Sequence, residues 1–135
     1  MIITDIATIN RMAEEVSSIP GFVNVDAYDF ALLQEYSDYI QAIRMEVTSL
    51  EESTFDTLAT LMRELKTENI CSFIFYVMLN GEQSVDIPKE QFLLIHTFIE
   101  NNLPDVDATY GVGRKEGDGE GFTIMLFAGF KNENL

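Results

Sequence analysis

Basic residues are scarce. Eight Lys and Arg stand against 23 Asp and Glu, a formal net charge of −15. Nucleic-acid binding needs clustered Lys and Arg to displace phosphate counterions, so that class of partner is excluded. An anionic membrane surface is disfavoured for the same reason. The acidic balance favours solubility and contact with basic patches. Cysteine is nearly absent. Cys71 is the only one, so neither an intrachain disulfide nor a zinc site of several thiolates can be built. No apolar run approaches the ~20 residues of a membrane span. The start, MIITDIATIN, lacks the basic region and long apolar core of a secretion signal, which points to a cytoplasmic protein. Internal repeats, linkers and low-complexity tracts are missing. What remains is an apolar share of 47%, with Phe and Tyr as the aromatics, in 135 residues. That suits one domain with a moderate core, ordered except at its ends.

Hydrophobic spacing sets out the elements. Ile6, Ile9, Met12, Ala13 and Val16 recur at three- and four-residue steps, opposite Arg11, Glu14 and Glu15, and predict a helix over 5–17. A second helix is expected from Asp26 or Tyr28 to Ser37, buried through Phe30, Leu33 and Tyr36. Alternation over 39–47 predicts a strand with one buried and one wet face. Ser53 and Asp56 fit a variant capping box for a third helix reaching Lys66, striped with Phe55, Leu58, Leu61, Met62 and Leu65. The run ICSFIFYVML, 70–79, reads as a central strand covered on both faces, closed by Asn80-Gly81. Asp86 and Pro88 open a fourth helix to Asn102, with Phe92, Ile95, Phe98 and Ile99 inward. Strands over 107–114 and 121–129 follow, joined through KEGDGE as an antiparallel hairpin. Two strand–helix–strand links imply parallel strands. The expected fold is α+β: a two-layer sandwich with a four-stranded mixed sheet. Helices 54–66 and 88–102 cover one face, the first two helices shield part of the rest, and residues 131–135 fray.

Between the first two helices lies PGFVNVDAYDF, residues 20–30. Pro20-Gly21 ends the first helix. Asn24 and Asp26 are both helix N-cap residues, and Asp29 falls in the first turn, where negative charge suits the helix dipole. By local chemistry alone these acids are capping groups. The stretch also resembles a loop of the FtsZ/tubulin family that reads P-G-L-[IM]-N-[LV]-D-F-A-D-V. Pro20, Gly21, Asn24, Asp26 and Asp29 match it, Phe22, Val25 and Phe30 are similar, and Ala27-Tyr28 replaces a Phe-Ala pair. A second stretch, LPDVDATYGVG…GEGFTIMLFAGF, parallels the family at Pro104, Asp105, Gly111, Thr123, Ala128, Gly129 and Phe130. The two stand in the family's order and nearly at its spacing, so the similarity covers residues 17–130. The strand over 39–47 departs from it, carrying bulky and charged residues where the family has small ones.

The resemblance implies the C-terminal half of a tubulin-like protein. Residues 1–135 would form one such domain, with 1–17 the end of the family's central helix. It further implies that Pro20, Gly21, Phe22, Asn24, Asp26 and Asp29 form a face that crosses a filament contact and completes the GTP-hydrolysing site of the next subunit. The family's phosphate loop, G-G-G-T-G-[ST]-G, is missing. Gly117, Gly119 and Gly121 lie in an acidic loop that repels phosphate. The chain is therefore expected to be no enzyme on its own, to hold no cofactor or metal, and to partner a tubulin-like GTPase or itself. Its role would be a non-catalytic interaction domain that binds or caps filaments. Two other roles stay open. One is a free-standing self-associating or ligand-binding domain sharing only the fold. The other is half of a split GTPase completed by a separate nucleotide-binding chain. His96 has no His or Cys nearby in sequence and reads as a surface or packed residue, and Cys71 as a small buried hydrophobe. Asp105, Asp107, Asp118 and Glu120 lack calcium-loop spacing.

Overall fold

The structure, a computed structural model, describes residues 2–19, 21–23, 25–65, 70–81, 89–102, 107–117 and 119–132. The elements are β1 (Ile2–Ile3), α1 (Ile6–Ser17), β2 (Gly21–Val23), α2 (Ala27–Tyr36), β3 (Tyr39–Val47), α3 (Glu52–Glu64), β4 (Ile70–Asn80), α4 (Lys89–Asn102), β5 (Asp107–Lys115) and β6 (Phe122–Phe130). No helix among the described residues is long and apolar enough to cross a membrane.

One mixed sheet holds the strands in the order β1-β3-β6-β4-β5-β2. This corrects the four-stranded expectation. β1 and β2 are too short to show a period in the sequence, and they form the two ends of the sheet, pairing antiparallel with β3 and β5. β4 lies inside, parallel to β5 and antiparallel to β6. β3 is also antiparallel to β6, so β3 and β4 run the same way with β6 between them. The expected β5–β6 hairpin does not form. Those strands are antiparallel in direction, but β4 separates them, because its two-sided apolar surface takes the interior position.

The chain between β5 and β6 therefore crosses over the end of β4. Gly81 N–H donates to the Lys115 carbonyl (2.8 Å) and Asn80 N–H to the Gly121 carbonyl (3.0 Å). Gly81 has φ +84°, and a Cβ there would fall on the Gly119 carbonyl oxygen. Only glycine fits both the backbone conformation and the close approach.

Helices cover both faces, so the two-layer expectation is also corrected. Phe73, Phe75, Val77 and Leu79 of β4 face Phe55, Leu58 and Met62 of α3 and Ile95 and Phe98 of α4. The alternate residues Ile74, Tyr76 and Met78 face Ile9, Met12 and Val16 of α1 and Phe30 and Leu33 of α2. Period-2 strands and period-3.6 helices thus meet twice across one sheet.

The helix starts differ in how they are capped. Asp5 caps α1: Thr8 donates to Asp5 Oδ2 from its hydroxyl (2.6 Å) and its N–H (3.1 Å), and these bonds hold the carboxyl below its usual range. The box expected from Ser53 and Asp56 lies two residues too late. The N-cap of α3 is Glu51, whose N–H donates to Thr54 Oγ1 (3.4 Å), while Thr54 Oγ1 donates to the Ser49 carbonyl (3.0 Å). Ser53 and Asp56 instead lie inside the helix, their carbonyls accepting from Thr57 and Thr60. Lys66, Asp86 and Pro88 fall outside the described residues.

Candidate functional site

The acids singled out in residues 20–29 meet at the start of α2. Asp26 is the N-cap: its Oδ1 accepts from the N–H of Tyr28 (3.0 Å) and of Asp29 (3.2 Å). Asp29 replies through Oδ2, which accepts from Asp26 N–H (3.0 Å) and closes a capping box. Val25 and Phe30 on either side are buried, and Phe30 packs edge-on to Phe127 of β6 at 4.8 Å between ring centres. The box is therefore held firmly while Asp26 stays exposed and Asp29 half-exposed. Gly21 pairs with Gly113 of β5 in β2, with a register break before Val23 and Val112, and Phe22 lies between them in the strand. Pro20 and Asn24 lie outside the described residues.

This arrangement can present negative charge at a rigid helix start. Among the described residues, no group of three His, Cys, Asp or Glu could hold a metal. The capping reading is met in full by the geometry, and it leaves the outward face of Asp26 exposed. Tyr28, where the family motif departs, projects at the same helix start and is 68% exposed.

The remaining candidates are placed plainly. His96 is exposed on α4, with Nε2 3.1 Å from the Tyr110 hydroxyl and the two rings edge-on. Cys71 is half-buried, not enclosed as expected. Its thiol points at the Gly129 carbonyl (3.4 Å) and the Tyr36 carbonyl (3.6 Å). Asp105 and Asp118 fall outside the described residues; Glu120 is exposed beside the crossing loop.

Sequence reading missed two features on the α1/α2 face. Glu15 of α1 pairs with Arg44 of β3 (3.1 Å) and Lys115 of β5 (3.4 Å). These partners lie 29 and 100 residues away, so no local spacing could join them. Nearby is a cavity of about 530 Å³, bounded by Arg44, Met78, Lys115 and the loop carrying Gly119 and Glu120. Tyr76 is the other. It is 1% exposed, and its hydroxyl has no hydrogen-bond partner among the described residues. Burial pushes that hydroxyl up to about 12.

The mixed sheet between two helical layers has the fold of the FtsZ C-terminal domain. The likeness to known structures is to FtsZ from M. jannaschii. An empty FtsZ dimer matches with a TM-score of 0.60 and 16% identity, over 85% of this chain and 34% of that one. A tryptophan-to-tyrosine mutant of the same protein matches with a TM-score of 0.58 and 16% identity, over 92% of this chain and 38% of that one. The chain thus spans little more than a third of the FtsZ it matches, and at this identity the shared property is the fold. No family model matches the sequence, and no curated protein does either.

Proposed function

We propose that this domain is a non-catalytic interaction module that binds the end of a filament of a tubulin-like GTPase and caps it. The observation that carries this reading is the Asp26–Asp29 corner, set rigidly on an FtsZ-like fold with Asp26 exposed. Pro20, Gly21, Phe22, Asn24, Asp26 and Asp29 make up the docking face. Phe22 anchors it, and the two acids approach the partner's nucleotide, where they could contribute to hydrolysis in trans. On their own these 135 residues contain no phosphate-binding glycine loop. Taken by themselves they give a following subunit no phosphate-binding face, so a filament that accepts this domain alone is expected to stop growing at that end. The domain alone is expected to bind no GTP and hydrolyse none.

The test is light scattering and GTP turnover of full-length FtsZ with substoichiometric amounts of this protein. Shorter or slower polymer is the expected result. Asp26→Asn with Asp29→Asn should weaken the effect. Asn is chosen because it keeps the cap that Ala would remove. Unchanged polymer mass, length and turnover at equimolar protein would sink the capping role and leave a free-standing binding domain. GTP hydrolysis appearing only with a separate nucleotide-binding chain would favour a split GTPase.

A further inference from the structure

Among the described residues, β5 has a second strand neighbour over only part of its length. β4 pairs with it from Asp107 to Lys115 on one side. On the other side, among the described residues, β2 pairs at Gly113 and Val112. From Asp107 to Tyr110 the outer side has no strand partner among the described residues. At this end of the sheet α2 packs over β4 and β6, and a groove of about 480 Å³ between it and the sheet reaches Ala108 and Thr109 of β5. Asp29, Leu32 and Tyr36 form its helical wall, and Ile74, Ala108 and Thr109 its floor and strand side. Ala108 is exposed, Thr109 and Leu32 are half-exposed, and Tyr36 is 60% exposed.

We propose that this groove is a peptide-docking site, which takes an extended, basic segment of a partner protein as an added strand antiparallel to β5. An open strand edge presents N–H and C=O groups that an extended backbone satisfies, and a flanking helix then selects alternate side chains. The chain already uses the same edge this way, since β2 lies antiparallel on β5 at the residues next along. The register Ile74↔Thr109 places Thr109 on the sheet face that α2 covers. Alternate side chains of an added strand on that face enter the groove against Leu32, while the others face out.

Charge selects the occupant. Asp29 lines the groove, the N-cap Asp26 and Glu35 of α2 are exposed, and Lys131 is the one cation among its described lining residues. The whole chain carries −15. A second copy pairing edge to edge would bring like charges together, whereas a Lys- or Arg-bearing segment is drawn in. At the opposite side of the sheet β3 is paired by β1 at Ala42 and Ile43 and carries the charged residues Arg44 and Glu46 beyond it, a pattern that discourages strand addition. This inference goes beyond the filament reading and does not depend on it.

The probe is a fluorescent, end-blocked heptapeptide alternating lysine and valine, titrated into the intact 135-residue protein by anisotropy. Saturable binding is expected, with amide hydrogen exchange slowed within 107–110. N-methylating alternate peptide amides should weaken binding at least about tenfold, because it removes the strand hydrogen bonds. Replacing the lysines with glutamates should do the same. Leu32→Lys should also weaken it, with an unchanged circular dichroism spectrum. If that variant fails to fold, the N-methylated peptide on the unmodified protein still decides. No binding up to ~1 mM, or equal binding of the N-methylated peptide, would overturn the proposal. So would a concentration-dependent dimer that protects 107–110, which would assign the edge to a second copy. No tubulin-like protein is present in this assay, so its failure and the failure of the capping role are separable.

Discussion

The two faces of the sheet are built from the same strands and differ in what covers them. On the α3/α4 face the buried cluster is continuous and apolar, with Phe75 touching Phe98 and Phe98 touching Phe55 at 5.7 and 5.8 Å between ring centres. On the α1/α2 face the cluster is smaller and contains Tyr76. That face also carries the Glu15–Arg44–Lys115 ion pairs, and both the 530 Å³ cavity and the 480 Å³ groove open there. The capped corner of Asp26 and Asp29 belongs to it as well. One face therefore holds the fold together, and the other carries the features with which a partner could engage. Polar groups and cavities weaken packing, so they collect where the second face has stability to lend.

Substitutions can break or sharpen this contrast. The largest effect is expected from Phe75→Ala and Phe127→Ala, both fully buried but on opposite faces. Losing a core Phe costs about 3–5 kcal/mol, depending on how well the site collapses. Phe75→Ala should lie at the top of that range and Phe127→Ala at the bottom, because the looser face can relax. Urea denaturation of the pair decides, and an equal or greater loss at Phe127 would erase the distinction.

Tyr76→Phe should come next and should raise stability by roughly 1 kcal/mol at neutral pH, since it deletes a buried hydroxyl that gains no hydrogen bond among the described residues. The sign with pH follows from the raised proton affinity. The neutral phenol is favoured in the folded state, so its contribution is intact below the unfolded value near 10 and is lost as pH climbs to about 12. Thermal melts between pH 9 and 12, as order-of-magnitude bounds, should show a steeper decline in the parent than in Tyr76→Phe. Parallel declines would mean that another group controls alkaline unfolding.

Asp26→Ala should cost about 1 kcal/mol by uncapping α2, and Asp26→Asn only a few tenths. A loss shared equally by both would show that charge, not capping, matters there. The smallest effect is expected from Glu15→Gln. Arg44 and Glu15 are still about a third exposed, so the pair contributes at most about 0.5–1 kcal/mol and is partly screened by salt. Chemical denaturation at low and high ionic strength should show the difference shrink as salt rises.

Much of the fold was legible because its main elements carry strong periods. The helix over 5–17, the strand over 39–47 and the apolar run from Ile70 recur in the structure within a residue or two. The strand pairing was not legible. Consecutive strands joined by a polar, glycine-rich loop read as a hairpin, yet β4 intervenes because burial on both its faces outweighs the closeness of β5 and β6 in sequence. The capping box of Asp26 and Asp29 could be read from three-residue spacing, since capping is local chemistry. The groove beside it could not, for its walls come from α2, β4 and β5, and only the packed molecule brings Leu32 near Thr109.

The sequence by itself determined the longer helices and strands, though not the short β1 and β2, most of their apolar faces, and that two acids would lock the start of α2. These follow from interactions within one or two turns of the chain. Tertiary structure alone decided that the sheet has helices on both faces, that the loop after β5 crosses the end of β4, and that Glu15 meets Arg44 and Lys115. It also left the outer side of β5 open over 107–110 among the described residues. Those outcomes depend on which buried surfaces find each other across tens of residues, a competition among whole elements that no local spacing records.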